Sequence, residues 1–402
     1  MPAPRAATAK TLTAAVTATV AAALVLSGCS SSGGKSDSSA AAGSSKASTA
    51  AAHVVNVTVT AAKGCVADAA QYAAGALTFK ITNTDATAVS EVELLSGERI
   101  VGEKENLPPG FSGVFAVNVD AGSYTLYCPG ATPERSPLKV VGKSVGTTDT
   151  NLAALLKTAT TGYANYVNTQ VNALVAATAT FNKALHGTNL KAAQTAYMQA
   201  RPYYEKIEPV AESFVIGQDS IDADIDVRIA DTTFAKWRGF HRIEYGIFKQ
   251  KSLKGMGVFG DKLVADVGRL KKLTTGLTYK PTELANGAQG LLDEVAASKI
   301  TGEEEAYSQI DLLDFANNDE GAEQAFAQLQ PALTKIDPVL TRNIQTQFAA
   351  LDKLVNSYRT TSNPSGFTLY TELTATDKRQ LAAAVKAVQE PLSTVASKVA
   401  NA

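Results

Sequence analysis

The sequence predicts a small β-sandwich followed by an antiparallel helical bundle, both carried behind an export signal and a polar tether. Three observations predict this. Short, alternating, β-branched runs fill residues 53–142; the apolar period becomes helical from residue 150 to 402; and the first 52 residues show neither pattern. A chain of 402 residues is long enough for two bodies with separate cores. Its net charge of −1 and its 19% of charged residues give no field that would favour nucleic acid.

At the N-terminus, Arg5 and Lys10 precede "TLTAAVTATVAAALVLSGCS", which is too short and too weakly apolar for a helix that stays in the membrane. It ends in Leu26-Ser27-Gly28-Cys29, similar to a bacterial lipobox. Residues 1–28 therefore read as a lipoprotein signal peptide and Cys29 as the lipidated first residue of the mature chain, outside the cytoplasm. An ordinary secretory peptide with a chance cysteine is the alternative. Residues 29–52, rich in Ser, Ala and Gly, read as a flexible tether of about 25 Å root-mean-square reach.

The runs "HVVNVTVTA", "GALTFKITNT", "SEVELLSGERIVGE", "FSGVFAVNV", "GSYTLYCPG" and "SPLKVVG" are separated by Gly, Pro, Asn and Asp turn signals. They predict six or seven strands and a sandwich over residues 53–142. The stretch 141–150, "VGKSVGTTDT", is the expected boundary. Beyond it, amphipathic helices are predicted over 151–185, 190–214, 226–248, 283–300, 320–358 and 376–399, within a bundle spanning 150–402. Bundles of this kind place metal and ligand sites among the facing side chains of their core.

Two cysteines follow Cys29. Cys65 comes after the first strand and Cys128 ends the run "YTLYC". In an exported protein they read equally as a disulfide or as metal-binding thiolates. Blue copper needs two histidines and usually a methionine; residues 53–142 contain only His53 and no methionine, which excludes it. Glu91 and Glu93 share one strand face, and Glu103 and Glu105 share another, which permits an oxygen-rich or mixed thiolate–carboxylate site as readily as a solvated face.

In the helical part, "GFHRIEYGIF" sets His241 and Glu244 three residues apart on one helix face. Imidazole plus carboxylate suits Fe, Zn or Mn, although a salt-bridged helix face has the same spacing. His-Glu-x-x-His is absent. The inverted zinc motif would need histidine where Tyr245 stands, so peptidase activity is not expected. Glu205, Glu208 and Glu212 form another stripe, and Glu294, Glu304, Asp311 and Asp314 offer more oxygen donors. The acids at 222, 224 and 226 fail as a calcium loop, because Val227 replaces the required glycine and Thr233 the closing glutamate.

"EKIEPVAESF", "IDADIDVR", "GFHRIEYGIF", "YSQIDLLDF" and "SGFTLYTEL" together resemble the imelysin-like helical domain. "SEVELLSGERIVGEKENLPPGFSGVF" and "GSYTLYCPGA" are similar to the cupredoxin-like domain that precedes it in a family of extracytoplasmic iron-uptake components. The resemblance spans residues 53–400. It implies a binding component, not an enzyme, that captures Fe²⁺ or Fe³⁺ and hands it to a ferrous-iron permease, alongside a haem peroxidase, in an elemental iron importer. It further implies metal ligation by His241, Glu244, Glu208 and Glu294 in the bundle. In the sandwich it implies ligation by Cys65, Glu91 and Cys128, with Glu103 and Glu105 as further acids. Zinc and copper are the alternative ions. Where the family has Gly-Asp-Leu-Asp, this chain has Gly217-Gln218-Asp219-Ser220, and the lipobox marks a tethered variant of otherwise free periplasmic proteins. A ferroxidase or metallopeptidase, and a purely adhesive surface lipoprotein, are the competing readings.

Overall fold

Nine strands lie between residues 53 and 142, in a computed structural model that describes residues 53–144, 149–216, 219–297 and 299–402. The signal peptide, Cys29 and the tether lie outside the described residues. In order the strands are β1 (Val54–Thr60), β2 (Gly64–Ala67), β3 (Gln71–Ala73), β4 (Gly75–Asn83), β5 (Val92–Ser96), β6 (Arg99–Lys104), β7 (Ser112–Val119), β8 (Gly122–Tyr127) and β9 (Arg135–Val141). They form one sheet of order β2-β1-β4-β7 and a second of order β3-β9-β8-β5-β6. β1–β4 and β3–β9 pair in parallel, and the other ladders are antiparallel. β2 and β3 escaped the sequence pattern because four and three residues are too few to display an alternation.

The two sheets enclose a core of Val55, Val57, Leu77, Phe79, Val117 and their neighbours, in which Phe79 stacks on Phe115. β1 and β4 alternate buried and exposed residues, as a sheet with one wet face should. β5 does not: Val92, Glu93, Leu94 and Leu95 are all buried. Val92 and Leu94 enter the sandwich core, whereas Leu95, with Ile100 and Tyr127, packs against Val215 of the helical part.

Cys65 and Cys128 are joined in a disulfide inside this core, tying β2 of one sheet to the residue after β8 of the other. The thiolate-ligand reading of Cys65 and Cys128 is thereby corrected, since a sulfur in a disulfide offers no thiolate to a metal. The direction of the side chains agrees. Tyr127 pairs with Glu93 across the β5–β8 ladder, so the glutamate face and the disulfide lie on opposite sides of the sheet.

The helices are α1 (Thr150–Leu185), α2 (Leu190–Glu205), α3 (Glu208–Glu212), α4 (Asp222–Ile225), α5 (Gly239–Glu244), α6 (Met256–Thr274), α7 (Pro281–Ala297), α8 (Asp311–Ile336), α9 (Pro338–Asn356), α10 (Ala375–Leu392) and α11 (Val395–Ala400). α1 starts where the Asp149 side chain accepts from the backbone N–H groups of Asn151 and Leu152. It buries the stripe Leu152, Leu156, Ala159, Tyr163, Val167, Val171, Leu174, Thr178, Phe181 and Leu185. α1 packs against α2, α6 and α8; α7 lies on α8, and α9 pairs with α10.

Four of the expected helices differ, among them 376–399, which divides into α10 and α11. Residues 320–358 divide into α8 and α9 because Pro338 begins a new helix, capped by Asp337 accepting from Leu340 N–H. Residues 190–214 divide before Glu208-Pro209 for the same reason. The expected helix 226–248 is α-helical only from Gly239, with a 3₁₀ turn at Ile229–Asp231 before it: Gly239 has φ +75°, and a Cβ there would meet the Ile225 carbonyl oxygen at 2.1 Å. α6 was absent from the expected set, its apolar stripe interrupted by three glycines and by Lys262, Lys271 and Lys272.

The described residues between 53 and 402 form one compact unit. Sandwich and bundle meet through the backbone bonds Ile100 N–H to Ser213 O (2.7 Å) and Val215 N–H to Glu98 O (2.8 Å), and through Arg99–Glu283 (3.1 Å) and Lys104–Asp293 (3.2 Å). No described helix is long and apolar enough to cross a membrane.

Candidate metal centre

The bundle core is charged where its short elements converge. Arg201 and Glu205 stand one turn apart near the end of α2, Glu208 opens α3, and Asp226 follows α4. His241 and Glu244 lie on α5, and a π-helical turn, Tyr245–Lys249, follows at once, a feature frequent at functional sites. Glu304 and Glu305 come from the loop before α8, and Asp314 from its first turn.

His241 is 2% exposed, so each ring nitrogen must find its partner inside the protein. Its Nε2 lies 3.2 Å from Glu304 Oε1 and 3.4 Å from Asp226 Oδ1, and its Nδ1 lies 3.5 Å from Glu244 Oε2. Asp226, His241 and Glu304 each offer a ligand atom within 4.8 Å of the others, a spacing suited to one ion. Glu244 is held firmly by one oxygen only: Oε1 accepts from the backbone N–H groups of Tyr307 (2.8 Å) and Ser308 (2.7 Å). Glu244 Oε2, Asp226 Oδ2 and His241 Nδ1 are buried without hydrogen-bond partners. Burial would lower the pKa of His241, but Asp226, Glu244 and Glu304 around it push it well above its ordinary 6.5. A cation bound here would take the place of that proton.

Glu205, Glu208, Asp226 and Glu304 form an adjoining group, also within 4.8 Å of one another. Here protein cations already stand among the acids. Lys299 Nζ lies 2.7 Å from Glu205, 2.8 Å from Glu208 and 3.6 Å from Glu304. Arg201, fully buried, pairs with Asp314 (2.8 Å), Glu305 (3.1 Å) and Glu304 (3.3 Å), and also with Glu205 and Asp226. Glu208, Glu212 and Glu294 form a third group. Burial and the repulsion of Glu294 push Glu208 well above its usual range, against the pull of Lys299. A cavity of about 430 Å³ lined by Arg228, Trp237, His241, Glu244, Glu304 and Tyr307 connects the histidine to the outside.

Of the sequence-predicted residues, His241 and Glu244 are thus together, while Glu208 and Glu294 fall in the neighbouring groups. Asp226 and Glu304 approach the imidazole more closely than either. Asp226 belonged to the failed calcium loop, and Glu304 was expected only as one of several further oxygen donors, with no local signal tying it to His241. In the sandwich, Glu103 and Glu105 line a cavity facing the bundle, and Glu91 continues the alternation of β5 on that face.

A family model for imelysin (peptidase family M75) matches residues 159–395, and one for the cupredoxin-like domain matches residues 38–134. The chain is 37% identical over 343 residues to the iron uptake system component EfeO of Escherichia coli O157:H7, covering 84% of this chain and 89% of that protein. The chain belongs to the EfeO family. Relatives called EfeO in Escherichia coli strain K12 and in Shigella flexneri are 36% identical over the same shares. The sandwich is thus the cupredoxin-like domain and the bundle the imelysin domain, in the order the sequence predicted. The EfeO relatives are named as components of an iron uptake system, while the imelysin family model also carries a peptidase name.

Proposed function

We propose that this chain is the iron-binding component of an elemental iron importer, capturing Fe²⁺ or Fe³⁺ outside the cytoplasm and delivering it to a ferrous-iron permease that works beside a haem peroxidase. The observation that carries this reading is the imidazole of His241 set between Asp226 and Glu304, with the open oxygen of Glu244 behind it, at the end of a cavity. Carboxylate oxygens and one nitrogen suit iron, with zinc as the competitor for the same donors. The ion is cargo, so the residues need only hold it and release it. The chain's other histidines, His53 and His186, are exposed and bonded to Ala76 O and to Asp261, which leaves one imidazole for the centre. A peptidase zinc ion would ordinarily take more.

The binding claim is tested by calorimetric titration with Fe²⁺ under anaerobic conditions. His241→Ala should raise the Kd about 10–100-fold or more, while circular dichroism stays unchanged. Unchanged affinity would make the motif structural. We assign residues 1–28 to a lipoprotein signal, 29–52 to the tether, 53–142 to the sandwich and 150–402 to the bundle, with Cys29 as the membrane anchor. Cys29→Ala should free the protein from the membrane or leave it unprocessed; a variant that remains membrane-bound at mature size would contradict this.

A further inference from the structure

Among the described residues, Lys299 is the only buried lysine. It follows α7, in the 3₁₀ turn Lys299–Thr301, and its ammonium stands among carboxylates from four separate segments. Nζ lies 2.7 Å from Glu205 Oε2 of α2 and 2.8 Å from Glu208 Oε2 of α3. Glu304 Oε1, from the loop before α8, is 3.6 Å away, and Glu294 Oε1 of α7 is 3.9 Å away. Carboxylates converging from several helices are how bundles hold a metal ion. Here the cation at that point belongs to the protein. The resemblance to the family expects Glu208 and Glu294 as metal ligands; in this chain both face the ammonium.

Two ligand groups meet here. Asp226 and Glu304 belong to the group around His241 and also to the group of Glu205 and Glu208. Glu304 Oε1 is the hinge between them, 3.2 Å from His241 Nε2 and 3.6 Å from Lys299 Nζ. Two positions bridged by common carboxylates are the plan of a dinuclear metal centre. The ammonium fills one of the two. Its backbone is pinned, because Tyr370 Oη donates to Ile300 O and the Gly302 N–H donates to Lys299 O. Gly302 has φ +82°, and a Cβ there would meet the Tyr370 ring at 2.5 Å. Burial would lower the pKa of Lys299, but Glu205, Glu208, Glu294 and Glu304 push it well above its ordinary 10.5. The ammonium is therefore a fixed charge and not a swinging arm. Arg201 also reaches Glu205, Asp226 and Glu304, but among the described residues only Lys299 pairs with Glu208.

We propose that Lys299 is a built-in second cation: its ammonium occupies the position of a second metal ion, so the core takes a single ion beside His241 and holds it loosely enough to release it. The proposal rests on the reading of the His241 centre given above. A lysine ammonium is a compact point charge with no coordination bond to offer. It balances Glu205 and Glu208 as a metal would, yet it stays with the chain when the cargo leaves. Across the shared Glu304 oxygen it repels the ion beside His241, and in a dry core that repulsion is weakly screened. A carrier has to give its ion up, and a fixed positive charge next to the binding position favours release.

The test compares the whole unaltered chain with Lys299→Met, which keeps the length of the side chain and removes its charge, by anaerobic calorimetric titration with Fe²⁺. Lys299→Met should bind one more ion per chain, and the ion beside His241 should bind about tenfold more tightly or better. Lys299→Arg, which restores the charge, should gain no ion. In Lys299→Met/His241→Ala the gained ion should remain while the other is lost. Lys299→Met leaves Glu205 and Glu208 without their counter-charge, so it can fail to fold when metal-free. Added Fe²⁺ should then restore the fold, read by circular dichroism, because the ion supplies the missing charge. Failure of Fe²⁺ to restore it would overturn the proposal. If a folded Lys299→Met keeps the stoichiometry and affinity of the unaltered chain while His241→Ala loses its ion, Lys299 is a structural counter-charge only, and the carrier reading stands. If His241→Ala changes nothing while Lys299→Met gains an ion, the second position stands and the reading of the centre fails. Absence of binding in every variant overturns both.

Discussion

The acids of the bundle core and the acids of the sandwich hairpin are similar in type and differ in what neutralises them. Around His241 the protein supplies its own cations: Arg201 reaches five carboxylates, and Lys299 occupies the space between Glu205 and Glu208. These pairs hold Asp226 below its ordinary range and Glu304 well below it, against the effect of burial. Ionised, hydrogen-bonded carboxylates are fixed in place before any metal arrives. On the hairpin, Lys104 is turned to Asp293, and Glu93, Glu103 and Glu105 are all pushed upward. The comparison teaches that the acid content of a site says little until the counter-charges are found, since Asp226 and Glu304 are held ionised beside them, whereas Glu208 in the same core and the hairpin glutamates are pushed upward by burial and by neighbouring acids.

The largest effect should come from removing the neutralising charge. Arg201→Met should destabilise the folded chain by about 3–5 kcal/mol, because it strands several buried carboxylates at once. Urea denaturation measures it, and a loss below about 1 kcal/mol would show that the core acids do not depend on Arg201. The sandwich relies instead on its staple. Cys65→Ala/Cys128→Ala closes no loop across their 63-residue separation and should lose about 2–5 kcal/mol while leaving Fe²⁺ affinity unchanged. Weakened Fe²⁺ binding in a folded double variant would restore the thiolate reading.

A smaller effect concerns pH. Glu93 sits near 4.5 when unfolded and at about 9 when folded, so the folded state binds more protons between those values. Its burden on stability is absent below about 4.5 and grows as pH rises toward 9; Glu105 acts the same way up to about 8. The metal-free chain should therefore melt at lower temperature at pH 8 than at pH 5, and Glu93→Gln should reduce that difference. An unchanged slope in the variant would mean that Glu93 does not carry it.

Much of this was legible from residue patterns. β1, β4 and β6 follow from alternation, and α1 from a ten-residue buried stripe. The His241–Glu244 pair follows from helical spacing alone. What completes the centre does not: Glu304 meets His241 across 63 residues of sequence, and Asp314 meets Arg201 across 113. Such contacts depend on how α2, α5 and α8 pack, and no local period encodes that. Nor could spacing decide between disulfide and thiolates for Cys65 and Cys128, because the choice depends on which sheet face each residue takes. The helix expected at 226–248 fails for a related reason, since the close approach of Gly239 to Ile225 is a tertiary fact.

The central claim is that His241, Asp226 and Glu304 hold iron. Crystals of the whole chain soaked anaerobically in Fe²⁺, with diffraction recorded on both sides of the iron absorption edge, test it most directly. The account predicts an anomalous peak within about 2.0–2.6 Å of His241 Nε2 and of oxygens from Asp226 and Glu304. A fully occupied iron peak elsewhere, with none beside His241, would contradict it.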